Sequence, residues 1–470
     1  MSLMPAHFAK ARAVCIAAAL LLGAPLGLRA QESAAPDAVA PEKQAKELEV
    51  LRTPKGVLEA ASLGTLLQLP DWLDLSASWT AEPMGNTQGG ATRTTGYIDQ
   101  LDLEVSISSG LRKKVEDQQE WDRWAVRLSL ANYMGQPPEF NEEIGTLFAL
   151  QELVADQGFW LQGLWVERLD STTTLRLGNN YNLDELVYAP AYGFYVNSTI
   201  NGTLNLTLPA YPFTPFNAAG GQFSWQLNER LSAHYGAVQL SNQRGGSQAN
   251  QWHGWRFNVA GSDGIVQALR LDLKLSDQEG EPLMACRDPD DRGSYLRHNK
   301  GCDGLLGLEN NLPDPLLQLG AVAGSWRFPR LDDPQRWENR AHTIFSSATL
   351  PINLPVGHGA RLWGSAAVGT EPAINQVPLF LQGGLLVQGV LQNRPLDLLI
   401  LGLSRSSLSP YARTDDGKRQ SFEGMVELGY LLKITENLQL QPGAQWIINP
   451  GGAGQYPSVL APSVQASISW

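Results

Sequence analysis

The feature that most constrains the fold of this chain is an alternation of apolar and polar residues, repeated in stretches of about ten. Leu269, Leu271 and Leu273, for example, alternate with Arg270 and Asp272. A period of two places the apolar side chains on one face of a β-strand and the polar side chains on the other. The chain is therefore predicted to be all-β. The clearest further examples are residues 72–80, 101–108, 124–130, 426–433, 438–446 and 463–470.

A soluble β-sandwich and a membrane β-barrel both produce this alternation, and two features favour the barrel. Full charges occupy the polar positions in mid-strand, where a water-filled lumen would hydrate them. Aromatic residues lie near strand ends on the apolar face, as at Trp124, Trp446 and Trp470. Ten residues at about 3.3 Å each, tilted near 45°, span about 24 Å, which matches the apolar band of an outer-membrane barrel.

Composition removes other classes of protein. The chain has 470 residues, a net charge of −12 and 43 % hydrophobic residues. That acidic excess would repel nucleic acid. No run of 18 apolar residues occurs after the first 30 residues, which excludes a bundle of transmembrane helices.

Connection lengths and chain length together predict a transmembrane antiparallel barrel of about 16 strands. Short turns on one rim and long loops on the other are typical of such barrels. Counting strands one by one gives about 17, so the sidedness of the middle of the chain stays open. Tight turns are predicted at residues 169–172, 228–230, 261–264 and 435–437, and long connections at 134–157, 180–218, 276–316 and 406–420.

Three regions are predicted along the chain. Residues 1–30 have Lys10 and Arg12 before an uncharged Ala- and Leu-rich stretch, the pattern of a cleaved secretory signal peptide. Residues 31–70 are expected to be a periplasmic linker with a short amphipathic helix at 42–52. Residues 71–470 would form the barrel.

Only two cysteines, Cys286 and Cys302, follow the predicted signal peptide. They flank a polar, turn-rich segment with a single histidine, His298, between them. In an oxidising compartment such a pair most often forms a loop disulfide, whereas a metal site would need more ligands nearby.

No sequence motif points to catalysis, to a metal or to a cofactor, so none of the three is predicted. The informative residues are charged side chains of both signs on the predicted inner face, which would line a channel and could bind sugars. In a sandwich the same residues would be ordinary surface residues. The candidate channel-lining residues are Asp74, Asp102, Glu104, Arg127, Arg176, Arg270, Glu423 and Glu427. We further expect the arginines at 127, 176 and 270 to face acids 102, 104 and 427 across the lumen.

Residues 180–218 are rich in aromatic side chains, which allow two interpretations. Aromatic faces stack on sugar rings, but the same residues could instead pack a long loop against the barrel wall. The set comprises Tyr181, Tyr188, Tyr192, Phe194, Tyr195, Tyr211, Phe213 and Phe216.

Several segments resemble the carbohydrate-selective porins of the OprB family. Residues 440–452 read LQPGAQWIINPGG and resemble the penultimate strand of that family, and residues 422–430, FEGMVELGY, resemble the strand before it. Weaker likenesses follow in family order at residues 86–102, 177–186, 197–198, 210–212, 383–385, 394–397 and 401–402.

The resemblance implies a bacterial outer-membrane porin that passes small carbohydrates by facilitated diffusion, as a monomer or a trimer, in contact with outer-membrane lipid. Two departures concern residues 276–316, which are longer than the corresponding family connection, and Asn179-Asn180, which replaces an expected charge. The alternatives left open are a secreted β-rich carbohydrate-active enzyme, a general-solute porin without sugar selectivity, and an adhesive or structural barrel with a plugged lumen. The alternating final strand, which ends Ile468-Ser469-Trp470, favours the barrel over a soluble enzyme.

Overall fold

A computed structural model of the chain describes residues 63, 67–70, 72–109, 122–135, 137–153, 155–170, 172–180, 186–201, 207, 211, 218–240, 253–255, 264–275, 312–357, 359–391, 393–435 and 437–470. These lie in one compact unit, Leu58–Trp470. The predicted signal peptide, the predicted helix at 42–52 and the Cys286–Cys302 disulfide lie outside the described residues and stay predictions.

Sixteen long strands form the wall of the barrel, and two short strands extend one hairpin. The long strands are β1 (Leu73–Ala81), β4 (Ile98–Ser108), β5 (Asp122–Gly135), β6 (Gly158–Asp170), β7 (Thr173–Asn180), β8 (Ala218–Gln226), β9 (Leu231–Leu240), β10 (Gly264–Lys274), β11 (Leu316–Pro329), β12 (Trp337–Ile352), β13 (Gly359–Gly369), β14 (Leu379–Gln388), β15 (Leu398–Ser407), β16 (Phe422–Lys433), β17 (Leu438–Ile448) and β18 (Val459–Ser469). The short strands are β2 (Met84–Gly85) and β3 (Thr95–Gly96).

Every long strand pairs antiparallel with its two neighbours in the chain, and the sheet closes where β1 pairs with β18. Closure removes both sheet edges, so every strand finds its backbone partners within the wall. The hairpin of β2 and β3 continues β1 and β4 beyond their ends, and Met84 opposes both Gly96 and Ser463. The predicted antiparallel barrel of about 16 strands is confirmed.

The alternation predicted from sequence sorts side chains between the two faces of the wall. On β10, Leu269 and Leu271 are 51 % and 42 % exposed, while Arg270 and Asp272 are 3 % and 4 % exposed. The exposed leucines form part of an apolar outer band. Tryptophans 124 and 225 end this band at one rim and 337 and 446 at the other, as in an interfacial girdle.

The two rims carry different connections. Connections 171–172, 227–230, 353–358 and 434–437 share one end of the barrel, here called the turn rim. Connections 136–157, 181–217, 241–263 and 408–421 share the other end, here called the loop rim. Short turns lie on the periplasmic side of outer-membrane barrels, so the loop rim is the extracellular one.

Antiparallel alternation fixes the rim of each connection, which the sequence left open for the middle of the chain. The predicted tight turn at 261–264 falls mostly outside the described residues; β9 ends at Leu240, and Gly264 opposes Leu240 at the start of β10. The long connection after β10 returns to β11 on the turn rim, among the short turns, and not on the loop rim.

The described parts of the loop-rim connections include helix α1 (Pro137–Ile144), a 3-10 turn (Pro190–Phe194) and helix α2 (Ser198–Asn201). Residues 186–201, here called the inner segment, contribute many of the buried residues of one hydrophobic cluster. The same cluster includes inward-facing residues of the wall such as Trp363, Leu398 and Met425. The inner segment is therefore packed inside the barrel against the wall. Among the described residues, no helix is both long and apolar enough to cross a membrane.

Candidate functional site: the inner wall

All eight charged residues chosen from the sequence lie on the inner face, on strands whose other face is exposed and apolar. Six of them are buried, and the carboxylates of Asp74 and Glu104 are half-buried. Their proposed role in lining a channel is a separate question, because inward side chains also hold other parts of the protein in place. The buried six are Asp102, Arg127, Arg176, Arg270, Glu423 and Glu427.

A belt of polar side chains crosses the inner face of eight consecutive strands, from β8 to β15. Each strand contributes one residue, and neighbours in the belt oppose one another directly in the strand ladder. The eight side chains offer hydroxyl, amide and carboxylate groups on one continuous track. The polar belt comprises Gln226, Ser232, Asp272, Gln318, Ser347, Ser365, Gln382 and Ser404.

Part of this belt has hydrogen-bonding capacity that the described protein does not use. Gln226 Oε1, Ser365 Oγ and both polar side-chain atoms of Gln382 are buried without a hydrogen-bond partner among the described residues. Buried polar atoms normally find a partner in protein or water. These groups are therefore placed to hydrogen-bond water, and Ser365 and Gln382 also lie beside the hydroxyl of Tyr192 on the inner segment.

The charged part of the belt is a network of side chains around Asp272. The guanidinium of Arg270 donates two hydrogen bonds to the carboxylate, at 2.7 and 2.9 Å, and His234 Nε2 lies 3.4 Å from it. Gln318 Nε2 also donates to Asp272, at 3.3 Å. Arg270 and Gln318 each donate to the backbone oxygen of Tyr188, so the network also contacts the inner segment. The fixed fork of the arginine holds the carboxylate in one orientation.

A second charged group spans β5 to β7. Arg176 Nε donates to Glu167 at 2.6 Å, and Arg127 Nε lies 3.4 Å from the same carboxylate. These contacts join neighbours on one stretch of wall. The arrangement of arginines facing acids across the lumen stays a prediction.

The aromatic residues that suggested sugar stacking are packed in the interior of the protein. Tyr192 and Phe194 have no exposed surface, and Tyr188 and Tyr195 are at most 4 % exposed. Trp363 Nε1 donates to the hydroxyl of Tyr195 at 2.8 Å. The packing interpretation therefore holds for the described aromatics, and residues 181, 213 and 216 lie outside the described part of the chain.

Two glycines make room for Tyr195 on the wall. A Cβ atom at Gly384 would lie 2.2 Å from the Tyr195 hydroxyl, and one at Gly402 would lie 2.3 Å from the Tyr195 ring. Both positions belong to segments that carry the family resemblance. Their lack of a side chain is a packing requirement of the inner segment, and burial raises the pKa of the Tyr195 hydroxyl, which therefore stays protonated.

Glu427 anchors the inner segment. Its carboxylate accepts hydrogen bonds from the backbone N–H groups of Val196 and Asn197, at 2.8 and 2.9 Å. Both N–H groups are buried and would otherwise need another acceptor. Sequence reasoning placed Glu427 on the correct face and assigned it to solute binding, but these contacts are made to the protein's own backbone.

The two glutamines of the LQPGAQW motif extend the same anchor. Gln441 donates to the backbone oxygen of Phe194 at 2.9 Å. The Gln445 side chain accepts from Asn197 at 2.7 Å and donates to the backbone oxygen of Leu150 at 2.8 Å. One strand therefore ties down both the inner segment and the connection after α1.

Glu423 performs a similar task nearer the loop rim. Its carboxylate accepts from the backbone N–H of Leu147 at 3.0 Å and of Gly451 at 2.7 Å. Gly451 and Asn449 adopt left-handed φ values of 74° and 57°, which turn the chain after β17. Asn449 completes the turn by donating to the backbone oxygen of Phe422 at 2.6 Å. The Asn-Pro-Gly-Gly motif is thus a turn built to meet a carboxylate.

Sequence reasoning missed the serines and glutamines of the polar belt, because it selected charged residues. The signal that could have found them is parity: each belt residue alternates with apolar residues that face outward. The described residues contain no group of three or more His, Cys, Asp or Glu side chains that could hold a metal ion.

One solved structure supports the fold, and two with lower TM-scores are given beside it. A structure of Pseudomonas putida OprB at high pH matches with a TM-score of 0.68 and 16 % identity, covering 87 % of this chain and 96 % of that one. A low-pH structure of the same porin matches with a TM-score of 0.44 and 13 % identity, covering 87 % of this chain and 96 % of that one. A mutant of the Rh. blastica porin matches with a TM-score of 0.42 and 8 % identity, covering 85 % of this chain and 100 % of that one.

The curated proteins contain no match to this chain. Residues 325–466, which run from β11 to β18, match the sequence profile described as carbohydrate-selective porin, OprB family. The resemblance noted in the sequence is thereby confirmed over residues 325–466, which are similar to the carbohydrate-selective porins of the OprB family and lie in the wall of the β-barrel.

Proposed function

We propose that the chain is a porin through which small carbohydrates diffuse across the bacterial outer membrane. The polar belt is the observation that carries this proposal. Sugars are uncharged solutes with many hydroxyl groups, and each hydroxyl both donates and accepts a hydrogen bond. A track of four serine hydroxyls, three glutamine amides and one carboxylate supplies matching partners on eight successive strands.

The packed aromatic residues support hydrogen bonding over ring stacking as the mode of recognition. The ring of Trp363 contacts the rings of Tyr192 and Tyr195, with centroids 5.2 and 5.4 Å apart, and all three residues are buried. Their faces are thus used for packing the inner segment. We propose that this segment, which contacts the belt at Gln318 and Ser404, narrows the path beside it.

The test is a planar-bilayer recording with the full chain, in which ion current is titrated with glucose and with a sugar alcohol of similar size. A sugar-selective channel gives a saturable block at millimolar sugar. Liposome swelling measures transport itself in the same preparation. Swelling rates that follow solute size alone, with no saturable block, would favour the general-solute porin.

Mixed charge on the inner wall supports weak discrimination between ions. Arg127 and Arg176 share Glu167, and Arg270 pairs with Asp272, so each described group includes both signs. We propose that these charges orient dipolar solutes and that Arg127→Gln with Arg176→Gln shifts the reversal potential toward cations without stopping conduction. An unchanged reversal potential would exclude both residues from the narrow part of the path.

Three finer points belong to the same proposal. The protein acts as a channel with no catalytic step, so the purified protein should leave the sugars chemically unchanged.

The oligomeric state, monomer or trimer, can be measured by native mass spectrometry of the detergent-solubilised protein. A disulfide between Cys286 and Cys302 is proposed for the long turn-rim connection, and alkylation mapping without reductant would find both thiols blocked.

A further inference from the structure

Two arginines lie on neighbouring strands of the outer face of the barrel, close to the loop rim, where a register shift bulges β11 between Ser325 and Phe328. Arg340 on β12 opposes Ser325 on β11, and Arg327 follows two residues later on β11. All three are exposed and lie on the same outward face as Leu319 and Ile344, which are 57 % and 46 % exposed. The pair thus lies above the apolar band, at the level where lipid headgroups meet the barrel.

Neither guanidinium has an acidic partner within ion-pair distance among the described residues, although acids are close in sequence. Glu338 accepts a hydrogen bond from Arg330 at 2.7 Å. Glu371 contacts His342 Nδ1, also at 2.7 Å. These carboxylates therefore already contact other side chains, and the charge of Arg327 and Arg340 is left for an external anion.

Trp337 fixes the position of one of the two arginines. The guanidinium carbon of Arg327 lies 3.6 Å from the centroid of the exposed Trp337 ring. A guanidinium held flat on an aromatic face keeps its N–H groups pointing sideways and loses little freedom on binding an anion. The same construction recurs at the loop rim on β15, where Arg405 lies 4.5 Å from the ring of Phe422.

We propose that Arg327 and Arg340, with the hydroxyl of Ser325 between them, bind a phosphate group of a lipid in the outer leaflet. Arginine forks match phosphate oxygens, and two adjacent forks match a doubly charged group. The site faces the lipid and not the lumen, so a membrane lipid is the occupant that reaches it, with its acyl chains along the leucine band. The Arg405 pair is a second contact of the same kind.

The experiment uses the full chain reconstituted in vesicles that contain a phosphorylated glycolipid or its dephosphorylated form, followed by native mass spectrometry of the lipid that stays bound. Wild type should retain the phosphorylated lipid about ten-fold more than the dephosphorylated one. Arg327→Gln with Arg340→Gln should remove that preference. The lysine pair at the same positions should keep most of it, and Arg336→Gln, an exposed arginine in the adjoining turn, should keep all of it.

Heat-modifiability on gels would show that each variant is folded. Equal retention of both lipids by wild type, or full preference in the double glutamine variant, would overturn the proposal. Inorganic phosphate that binds the detergent-solubilised protein as tightly as the lipid does would overturn the lipid as the occupant. Conductance should not change in any of these variants, because the residues lie outside the lumen.

Discussion

The inner wall uses polar side chains in two ways, and the balance between them differs between strands, although Gln318 and Ser404 of the belt also contact the inner segment. On β16 and β17, Glu423, Glu427, Gln441 and Gln445 bond to the backbone of segments folded into the barrel. On β8 to β15, the polar belt keeps hydrogen-bonding atoms that no described residue satisfies, as at Gln382. An inward polar residue is therefore either an anchor for the protein or a partner for the solute, and its side-chain type does not reveal which.

Removal of the central anchor should have the largest effect. Glu427→Ala leaves the N–H groups of Val196 and Asn197 buried without an acceptor, and each charge-assisted hydrogen bond contributes about 1.5–3 kcal/mol. We expect the inner segment to leave the wall, so that single-channel conductance rises and becomes noisy. Glu427→Gln keeps one acceptor oxygen and should give an intermediate result. A quiet channel of unchanged conductance in the alanine variant would mean that the glutamate does not hold the segment.

The space that Gly384 and Gly402 leave for Tyr195, here called the recess, can be tested with a matched pair of variants. Gly384→Ala places a methyl group 2.2 Å from the Tyr195 hydroxyl and 2.5 Å from the Leu401 backbone oxygen. Overpacking of this kind costs about 1–3 kcal/mol. Gly364→Ala, on the adjacent strand, places its methyl group 3.8 Å from its nearest neighbour, the Gln382 backbone oxygen. The midpoint of heat-induced unfolding in detergent should fall for the first variant and stay constant for the second; equal midpoints would contradict the recess.

The sequence predicted the barrel, its strand number and the face of each charged residue, because alternation and chain length determine those features. It did not predict that 276–316 joins the turn rim, because connection length alone does not say on which side of the sheet a loop lies. The rim of a connection follows only from the complete count of strands before it. One short strand that is missed, such as β7, moves every later connection to the opposite rim.

The functions of inward residues were harder to predict for a different physical reason. Glu427 is 231 residues from Val196 in sequence, and no local pattern encodes a contact over that distance. The belt is likewise a property of register between strands, as in the opposition of Ser365 and Gln382. The family motif pointed to the right strands, yet its glutamines prove to hold the inner segment.

A belt substitution should act on the solute and leave the channel intact. Gln382→Ala removes a donor and an acceptor, each worth about 0.5–1.5 kcal/mol, so the sugar concentration for half-block should rise about two- to ten-fold. Gln441→Ala, which removes a bond to the Phe194 backbone, should change ion conductance instead. If both variants change only sugar block, or both change only ion conductance, then the belt and the anchors do not have separate functions.

The smallest expected effect concerns an anchor at the loop rim, in the connection between β1 and β2. Burial, together with the carboxylate of Glu152, raises the pKa of Glu82 from 4.5 to about 8. Gln465 Nε2 donates to both carboxylates, at 2.7 Å to Glu82 and 2.8 Å to Glu152, and the N–H of Leu153 donates to Glu82. A carboxyl whose pKa is higher in the folded state favours folding at low pH, and that contribution is lost as the pH rises through the folded pKa.

The unfolding midpoint of the wild-type barrel should therefore fall between about pH 4.5 and about pH 8, the window set by the two pKa values of Glu82. Glu82→Gln has no charge to bury, so this part of the pH dependence should disappear, and the variant should exceed wild type in stability above pH 8. Asp416 is the control: it is fully exposed, and hydrogen bonds from Thr414 and Lys418 lower its pKa to about 2. Asp416→Asn should leave the same pH window unchanged. If Glu82→Gln and wild type lose stability in parallel over this pH window, then the Glu82 carboxyl is hydrated and ionised in the folded protein. The anchors at the loop rim would then be as accessible to water as the belt.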